Sequence, residues 1–341
     1  MKQSKIVMAI LVVCCIVAAM SLAACSSQKV SRSTASESFA SSAAVEPSAE
    51  APESAVDTTG VRNILVIGDD GWEGNPSHAD MMCLLRVDLD NKTIHEVTVP
   101  RDTKYDFGGG SYDKLNQMLT VSGAKAQTDA AAEVVGVPID YYVKVNFDGL
   151  MAIVDHFGGL NADLPYPINY HFYTNDYEDE YFDAGEQTLS SWRVMALSRA
   201  RTGYGDDGLD DQEMIRQFVD RQMLTTLMQY AYKNGTDQIE PLFKSFQGFI
   251  ETNISAEEQV AWAKALGSNG SIEVVGTTGP FRGDMDPDTN LWLVTPDPNG
   301  WANLMDAIEN GGDIQAAIDT YNYSYFPNGI SGLTTTTITV G

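Results

Sequence analysis

The apolar positions of this chain follow two periods. Continuous apolar runs at residues 61–67, 79–89 and 93–99 are typical of strands that are buried on both faces of a sheet. Apolar residues spaced three to four apart predict helices at 115–121, 124–135, 148–157 with Asp148 as N-cap, 189–197, 210–233, 255 onward and 298–309. Because strands and helices alternate along the chain, the pattern predicts an α/β protein whose sheet is covered by helices.

Further strands are predicted at 139–147, 271–275, 291–294 and 334–340. The turn-forming residues at 90–92 join the second and third strands of the chain. Residues 165–185 are dense in Tyr, Asn, Asp and Glu, which favours a long surface loop and a candidate lid.

The N-terminus has the pattern of an export signal. Lys2 and Lys5 precede an almost wholly apolar segment at 6–20, which is too short to be a dependable membrane span. The Leu-Ala-Ala-Cys sequence that ends at Cys25 resembles a bacterial lipobox, which implies acylation of this cysteine and anchoring to the outer face of the cell membrane. The alternatives are an ordinary signal peptide and an uncleaved anchor.

We divide the chain into a lipoprotein signal peptide (1–24), a disordered tether from Cys25 (25–60) and a folded domain with a C-terminal extension (61–341). The tether is rich in Ser, Ala, Glu and Pro and has too little apolar content to offset its ordering entropy. Cys83 is then the one cysteine of the folded domain, which excludes an internal disulfide bond there. We interpret Cys83 as a core residue; the alternative is a nucleophile.

The net charge of −26, with 47 acidic and 21 basic residues, argues against nucleic-acid binding, because that function needs a basic face. The acidity itself is explained by solubility. Since basic residues are scarce, arginines that occur close together are stronger candidates for a binding site here than in an average chain.

Acidic and basic residues follow the predicted strands and helices in an informative order. Asp70 follows the first strand and Asp80 opens the second, and carboxylates hold hard divalent cations. Arg101, Arg199 and Arg201 supply forks that bind phosphate oxygens in pairs. Together these residues predict a site for a diphosphate and a metal ion. The alternatives are a turn closed by the aspartates and a solvated helix end for the last two arginines.

A set of short motifs in one order resembles the LytR–CpsA–Psr family. The motifs are Asn-Ile-Leu-Val-Ile-Gly-x-Asp from Asn63, Asp-Met-Met-x-Leu from Asp80, Val-Pro-Arg-Asp-Thr from Val99, Lys-Leu-Asn from Lys114, Ile-Asp-Tyr-Tyr-Val from Ile139, Arg-Ala-Arg from Arg199 and Arg-Gln from Arg216. The resemblance extends over essentially all of the chain after the tether and is clearest at 63–228.

The resemblance implies an α/β/α sandwich, with a central mixed sheet flanked by helices and an apolar groove for a polyprenyl tail. It also implies an extracytoplasmic phosphotransferase. Such an enzyme takes a glycopolymer from an undecaprenyl-diphosphate carrier and joins it to peptidoglycan by a phosphodiester, as in the attachment of teichoic acid or capsule.

The resemblance also assigns roles to residues. It implies Mg²⁺ at Asp70 and Asp80, phosphate-binding or catalytic roles for Arg101, Asp102, Arg199 and Arg201, and substrate contacts from His78, Lys114, Asn116, Arg216 and Gln217. For Asp102, orienting a neighbouring arginine is the alternative to a catalytic role.

Two positions depart from the family pattern, which has arginine at both. They are His78, two residues before Asp80, and Glu213, three residues before Arg216. Both changes remove positive charge, and a neutral imidazole is a poor phosphate ligand. They motivate one alternative function, a non-catalytic lipoprotein that binds polyprenyl-diphosphate-linked polymer. A hydrolase that transfers the same group to water is a further alternative.

Overall fold

A computed structural model of the chain describes residues 56–71, 77–164, 167–170, 180–200, 212–234, 248–267, 271–320 and 335–340. The predicted signal peptide, Cys25 and most of the predicted tether lie outside the described residues. Among those residues, no helix has both the length and the apolar character that crossing a membrane requires.

The strands, in chain order, are β1 (Val61–Asp69), β2 (Ala79–Asp88), β3 (Thr93–Thr98), β4 (Lys104–Asp106), β5 (Tyr112–Lys114), β6 (Tyr141–Asn146), β7 (Leu160–Leu164), β8 (Ile168–Tyr170), β9 (Glu180–Phe182), β10 (Gly185–Leu189), β11 (Ile250–Thr252), β12 (Ile272–Thr278), β13 (Gly283–Met285), β14 (Trp292–Val294) and β15 (Thr335–Val340). The helices are α1 (Gln117–Val135), α2 (Phe147–Phe157), α3 (Ser191–Arg199), α4 (Gln212–Asn234), α5 (Ala256–Gly267), α6 (Pro298–Asn310) and α7 (Ile314–Thr320).

A seven-stranded mixed sheet forms the centre, in the order β11-β6-β1-β2-β3-β12-β15. Strand β2 is antiparallel to both of its neighbours, whereas the pairs β1–β6 and β3–β12 are parallel. Strands β1, β3, β6 and β12 therefore point the same way, and their carboxyl ends meet at one edge of the sheet. The start of β2 lies at this same edge.

The continuous apolar runs are explained by helices on both faces of the sheet. In β1, Ile64 and Val66 belong to one core, while Leu65 and Ile67 belong to the other, as the two-residue period of a strand requires. Helices α2, α3, α4 and α5 contribute to the first core, and α1, α6 and α7 to the second. The predicted α/β/α sandwich is confirmed, and Cys83 is fully buried in its first core.

Two local predictions about the helices and loops were wrong, and a third was confirmed. Asn146, not Asp148, caps α2, because its side chain accepts a hydrogen bond from the Gly149 backbone N–H at 2.9 Å. The two helices predicted between 115 and 135 are confirmed, because α1 consists of two helical segments that meet in a kink at Gly123. Gly123 has a left-handed φ of 82°, which glycine adopts at little cost. The predicted loop at 165–185 carries strands β8 and β9, which pair with each other.

Strands β7 and β10 were also missed. They form an antiparallel hairpin that packs against α4 through Asn161. The backbone N–H of this residue donates to the Tyr230 hydroxyl at 3.1 Å, and its carbonyl accepts from the Thr226 hydroxyl at 3.2 Å. Five-residue strands whose outer face is polar give too weak an apolar signal to be found from sequence.

Replacement of Leu84 by alanine tests the central position of β2. Leu84 is fully buried, so Leu84→Ala is expected to lower the free energy of unfolding by about 2–5 kcal/mol through lost contacts and a cavity. Urea denaturation measures this change. Val121→Ala is the control, because Val121 is 64% exposed and its truncation should change the unfolding free energy by less than about 0.5 kcal/mol. Equal effects of the two substitutions would contradict the assignment of Leu84 to the core.

Candidate active site at the sheet edge

The carboxyl edge of the sheet collects the predicted acidic residues. Asp70 directly follows β1, and Asp80 is the second residue of β2. The pairing of these strands shifts register between Gly68 and Asp69. A Cβ atom on Gly68 would lie 2.9 Å from the Cβ of Met81, so only glycine permits this close approach of the strands. The irregular pairing brings the two acidic segments together.

Asp70 is held by the residue that replaces the expected arginine. Its Oδ1 accepts a hydrogen bond from the His78 backbone N–H at 2.6 Å and lies 3.3 Å from His78 Nδ1. Burial and, after it, the negative charge of Asp80 raise the pKa of Asp70. The two carboxylates are therefore close enough to repel each other.

Arg101 connects two of the predicted carboxylates. Its guanidinium forms an ion pair with Asp80, and its Nε lies 3.8 Å from Asp102 Oδ2. Asp102 Oδ1 in turn lies 2.8 Å from the Nζ of Lys114. Because Arg101 is only 4% exposed, these contacts fix its charge at the edge. Asp102 thus occupies the orienting position that the sequence left open beside a catalytic one.

Asn116 lies in the same part of the site. Its backbone N–H donates to the Arg101 carbonyl at 3.1 Å, and its own carbonyl accepts from the Ala79 N–H at 3.2 Å. These bonds tie the segment after β5 to the start of β2. The Asn116 side chain is buried, and its Oδ1 has no hydrogen-bond partner among the described residues. A buried acceptor without a donor is costly, and such groups are often found where a ligand binds.

An apolar cleft of about 100 Å³ lies beside these charges, between the sheet edge and α4. Its walls include Phe147, Met223, Leu224 and Leu227, together with carboxylate-bearing residues such as Asp80. The cleft therefore places an oily surface directly next to the candidate metal ligands. The α4 residues of this wall belong both to the buried core and to the lining of the cleft.

Two predicted arginines lie at the cleft. Arg216 lines it and forms an ion pair with Asp220 at 2.7 Å, and both side chains are only 3% exposed. The guanidinium carbon of Arg199, in the last turn of α3, lies 5.3 Å from the centroid of the Phe147 ring. Arg199 is thus both at a helix end and beside the cleft. Arg201 and the side chain of Glu213 lie outside the described residues.

Gln217 faces the sheet, where its Oε1 accepts a hydrogen bond from the Thr98 hydroxyl at 2.8 Å. Thr98 also accepts from Arg221 at 3.3 Å, and Arg221 donates to Thr278 at 2.9 Å. Next to them Glu96 is fully buried and accepts from the Thr225 hydroxyl at 3.1 Å and 3.2 Å. A buried polar network thus backs the α4 wall of the site.

Sequence reasoning missed Lys144, Asp220, Arg221 and Glu96. The signal for the last three was charge at positions that the surrounding apolar pattern buries, in β3 and α4. Lys144 gave no such signal. Its Nζ lies 3.3 Å from Asp69 Oδ2 at the rim of the cleft.

The candidate metal ligands amount to two carboxylates. Within the described part of the chain, no three His, Cys, Asp or Glu side chains are arranged to hold a metal ion. A cation at Asp70 and Asp80 would therefore rely on water, amide or phosphate oxygens for its other ligands, which suits magnesium.

An α/β/α sandwich with carboxylates and arginines at one sheet edge, next to an apolar cleft, defines a class of protein with a site for an amphipathic anion. The model of the LytR_cpsA_psr family matches residues 16–302. The chain belongs to this family, as its motifs predicted.

Curated relatives are similar over part of their length. A polyisoprenyl-teichoic acid–peptidoglycan teichoic acid transferase, TagU of Bacillus licheniformis, is 26% identical over 197 residues, which cover 58% of this chain and 61% of the relative. TagV of Bacillus subtilis, named as the same kind of transferase, is 27% identical over 207 residues, which cover 58% of this chain and 51% of the relative. The chain thus aligns with between half and two thirds of these relatives.

Solved structures share the fold. The crystal structure of B. subtilis TagV has a TM-score of 0.58 at 23% identity and covers 76% of this chain and 98% of that chain. The LytR-CPS2A-psr family protein YwtF (TagT) with bound octaprenyl pyrophosphate lipid has a TM-score of 0.52 at 15% identity, with coverage of 74% and 90%.

The buried Glu96 predicts a pH dependence of stability. Burial raises the pKa of Glu96 from 4.5 to about 8, so the folded chain holds a proton that the unfolded chain releases between these values. The free energy of unfolding should therefore fall as the pH rises from about 5 toward 8. Glu96→Gln cannot ionise and should flatten this slope, as measured by urea denaturation across that range.

The exposed Glu273 provides the matched control, because Glu273→Gln makes the same chemical change on the surface of β12. The Glu273→Gln variant should show the same pH dependence of the free energy of unfolding as the wild type. A Glu96→Gln variant with the wild-type slope would show that Glu96 is ionised in the folded chain.

Proposed function

We propose that this chain is a magnesium-dependent phosphotransferase that moves a glycopolymer from an undecaprenyl-diphosphate carrier to peptidoglycan. The observation that carries the proposal is the position of Asp80 and Arg101 beside an apolar cleft, with Asp70 next to them. A prenyl diphosphate has a charged head and an oily tail, and this edge of the sheet offers surfaces for both. The names of the TagU and TagV relatives and the octaprenyl pyrophosphate bound to TagT support the same substrate class.

The residues fit a magnesium ion. Asp70 and Asp80 repel each other, and a dication between them would remove that repulsion. The buried Oδ1 of Asn116 lies in the same part of the site and is of the oxygen type that magnesium accepts. When bound, the cation would withdraw charge from phosphate oxygens during transfer.

The chain's own residues provide the remaining charge stabilisation. Arg101 is fixed by its neighbours, and Arg199 and Arg216 approach the cleft from α3 and α4. Guanidinium groups held in place before the reaction stabilise the charge that develops on phosphate oxygens. Arg201 has the same role by its match to the family motif. Lys114 acts through Asp102, which it contacts.

The reaction exchanges a phosphoanhydride bond of the donor for a phosphate ester bond to the acceptor. A peptidoglycan hydroxyl oxygen forms a bond with the phosphorus that carries the glycopolymer, and the hydroxyl proton is lost to solvent. The bond from this phosphorus to the bridging oxygen breaks, and polyprenyl phosphate departs with the bond's electron pair. The apolar cleft holds the part of the prenyl chain next to the diphosphate throughout.

The proposed location is the outer face of the bacterial membrane. The apolar segment at 6–20 and the lipobox-like ending at Cys25 support export followed by acylation. A diacylated cysteine anchors a protein firmly, since each buried methylene contributes about 0.8 kcal/mol. The tether then allows the domain to reach a lipid-linked donor and the wall.

His78 and Glu213 support a second candidate function, binding of the polymer without turnover. His78 contacts Asp70 and provides no guanidinium for phosphate, so a polymer-binding protein without turnover fits this substitution. An assay with purified protein, Mg²⁺, a lipid-diphosphate-linked glycan and peptidoglycan fragments distinguishes transfer, hydrolysis and binding without turnover. Transfer yields linked glycan and polyprenyl phosphate, hydrolysis yields free glycan phosphate and polyprenyl phosphate, and binding alone yields no product.

Replacement of Arg199 tests the phosphate-binding role. Arg199→Ala is expected to lower the rate of polyprenyl phosphate release on the order of 10²–10³-fold, as loss of one fixed donor does in a desolvated site. Release is measured by chromatography of the lipid products. Arg282→Ala is the control, since Arg282 is an exposed arginine away from the cleft. Turnover that survives Arg199→Ala would remove this residue from the mechanism.

Magnesium binding should be visible without turnover. Mg²⁺ is expected to lower the pKa of Asp70, because a nearby dication favours the ionised carboxyl. Asp80→Asn should also lower this pKa, since it removes the repelling charge, and should weaken the response to Mg²⁺. Carboxyl NMR shifts followed against pH report both effects. Asp88, which caps a turn at the other end of β2, is the internal control. An Asp70 pKa that does not change when Mg²⁺ is added would refute the metal site.

A further inference from the structure

A second and larger cavity lies on the other side of α4. It has a volume of about 680 Å³ and runs between α4 and the β7–β10 hairpin. We call it the polar groove and define it by six of its lining residues, Asn161, Asp163, Glu186, Gln187, Gln222 and Gln229. Met223, Leu224 and Leu227 of the same helix line the apolar cleft, so α4 separates the two cavities.

The lining of the polar groove restricts what it can bind. It has four carboxamides, three threonine hydroxyls, two carboxylates and one alanine. Among these described lining residues there is no cationic side chain to attract phosphate and no large apolar side chain to pack against a lipid chain. Carboxamides and hydroxyls both donate and accept hydrogen bonds, which matches the hydroxyl and acetamido groups of an uncharged glycan.

Several groups in the polar groove are not used by the fold. The side chains of Asp163, Glu186 and Gln229 make no hydrogen bond or ion pair in the described part of the chain. Asp163 and Glu186 are also directly opposite each other in the hairpin. Like charges at opposed positions destabilise a strand pair, so this arrangement does not serve folding.

We propose that the polar groove binds the uncharged glycan backbone of the acceptor, a strand of N-acetylated sugars, while the apolar cleft holds the donor lipid. This inference rests on the proposed function, since it assigns the second substrate of that reaction. The two acidic side chains fit the assignment, because they accept hydrogen bonds from sugar hydroxyls and repel a phosphate-rich donor polymer.

The geometry of α4 connects the groove to the reaction site. Gln217, which belongs to the family motif, precedes Thr225 and Gln229 by two to three turns, or about 12–18 Å at 1.5 Å per residue. A glycan of a few sugars that lies in the groove is therefore long enough to cover this distance along α4. The groove would fix the strand, and a hydroxyl beyond it would meet the donor phosphorus.

Binding of an N-acetylglucosamine tetramer tests the proposal in the absence of donor. Calorimetry with the full chain in detergent should show saturable binding. The double variant Glu186→Ala/Gln229→Ala should raise the Kd roughly tenfold, because it removes two hydrogen-bonding groups that the fold does not use. Asp163→Ala should weaken binding as well, without lowering the melting temperature.

Asp155→Ala is the matched control. Asp155 is an exposed acid on α2, away from the groove, and its removal should leave the Kd unchanged. The proposal is overturned if the tetramer does not bind or if the groove variants bind it as the wild type does.

Turnover separates this proposal from the proposed function. If the chain transfers glycopolymer, the groove variants should raise the KM for a long glycan acceptor and leave kcat unchanged. A role in folding alone would instead lower stability and change both constants. Transfer without tetramer binding would refute glycan binding in the polar groove and leave the proposed phosphotransferase activity supported. Tetramer binding without transfer would refute the phosphotransferase activity and leave glycan binding in the groove supported.

Discussion

Burial of β1 and β2 on both faces is the constraint on which the site depends. Helices cover both sides of these strands, so a charged side chain within them would lose its hydration. Acidic residues are therefore placed where the strands end. Since β1 ends at the edge where β2 begins, Asp70 and Asp80 come together there. Their repulsion is offset by the His78 backbone N–H that donates to Asp70 and by the Arg101 guanidinium that pairs with Asp80.

Buried charges in this protein are compensated by specific partners. Arg101 lies between Asp80 and Asp102, and Arg216 pairs with Asp220. Burying such pairs costs desolvation energy that their attraction only partly offsets, so they are a poor means of stabilising a fold. Their concentration at one sheet edge, next to an apolar cleft, is instead explained by a site that must hold charge rigidly in a dry environment.

Helix α4 has a different environment on each side. One surface of α4 lines the apolar cleft, and another lines the polar groove. A third surface contributes Arg221 and Thr225 to the buried polar network against the sheet. A helix with three such surfaces has apolar and polar residues in every direction, so its amphipathic pattern is weak. The same property makes it suited to separate a lipid from a glycan while it supplies residues to the site between them.

The sequence determined the central strands, most helices of the sandwich and the family, and it identified the residues that meet at the sheet edge. These features could be predicted because hydrophobic periodicity and motifs depend on residues that are close together in the sequence. It did not determine the β7–β10 hairpin, the Asn146 cap or the burial of Glu96. Their signals are short, or they depend on which distant segments pack together. The pairing of Arg101 with Asp80 and the two cavities beside α4 were likewise decided only by tertiary structure, since contacts between remote segments have no local pattern in the chain.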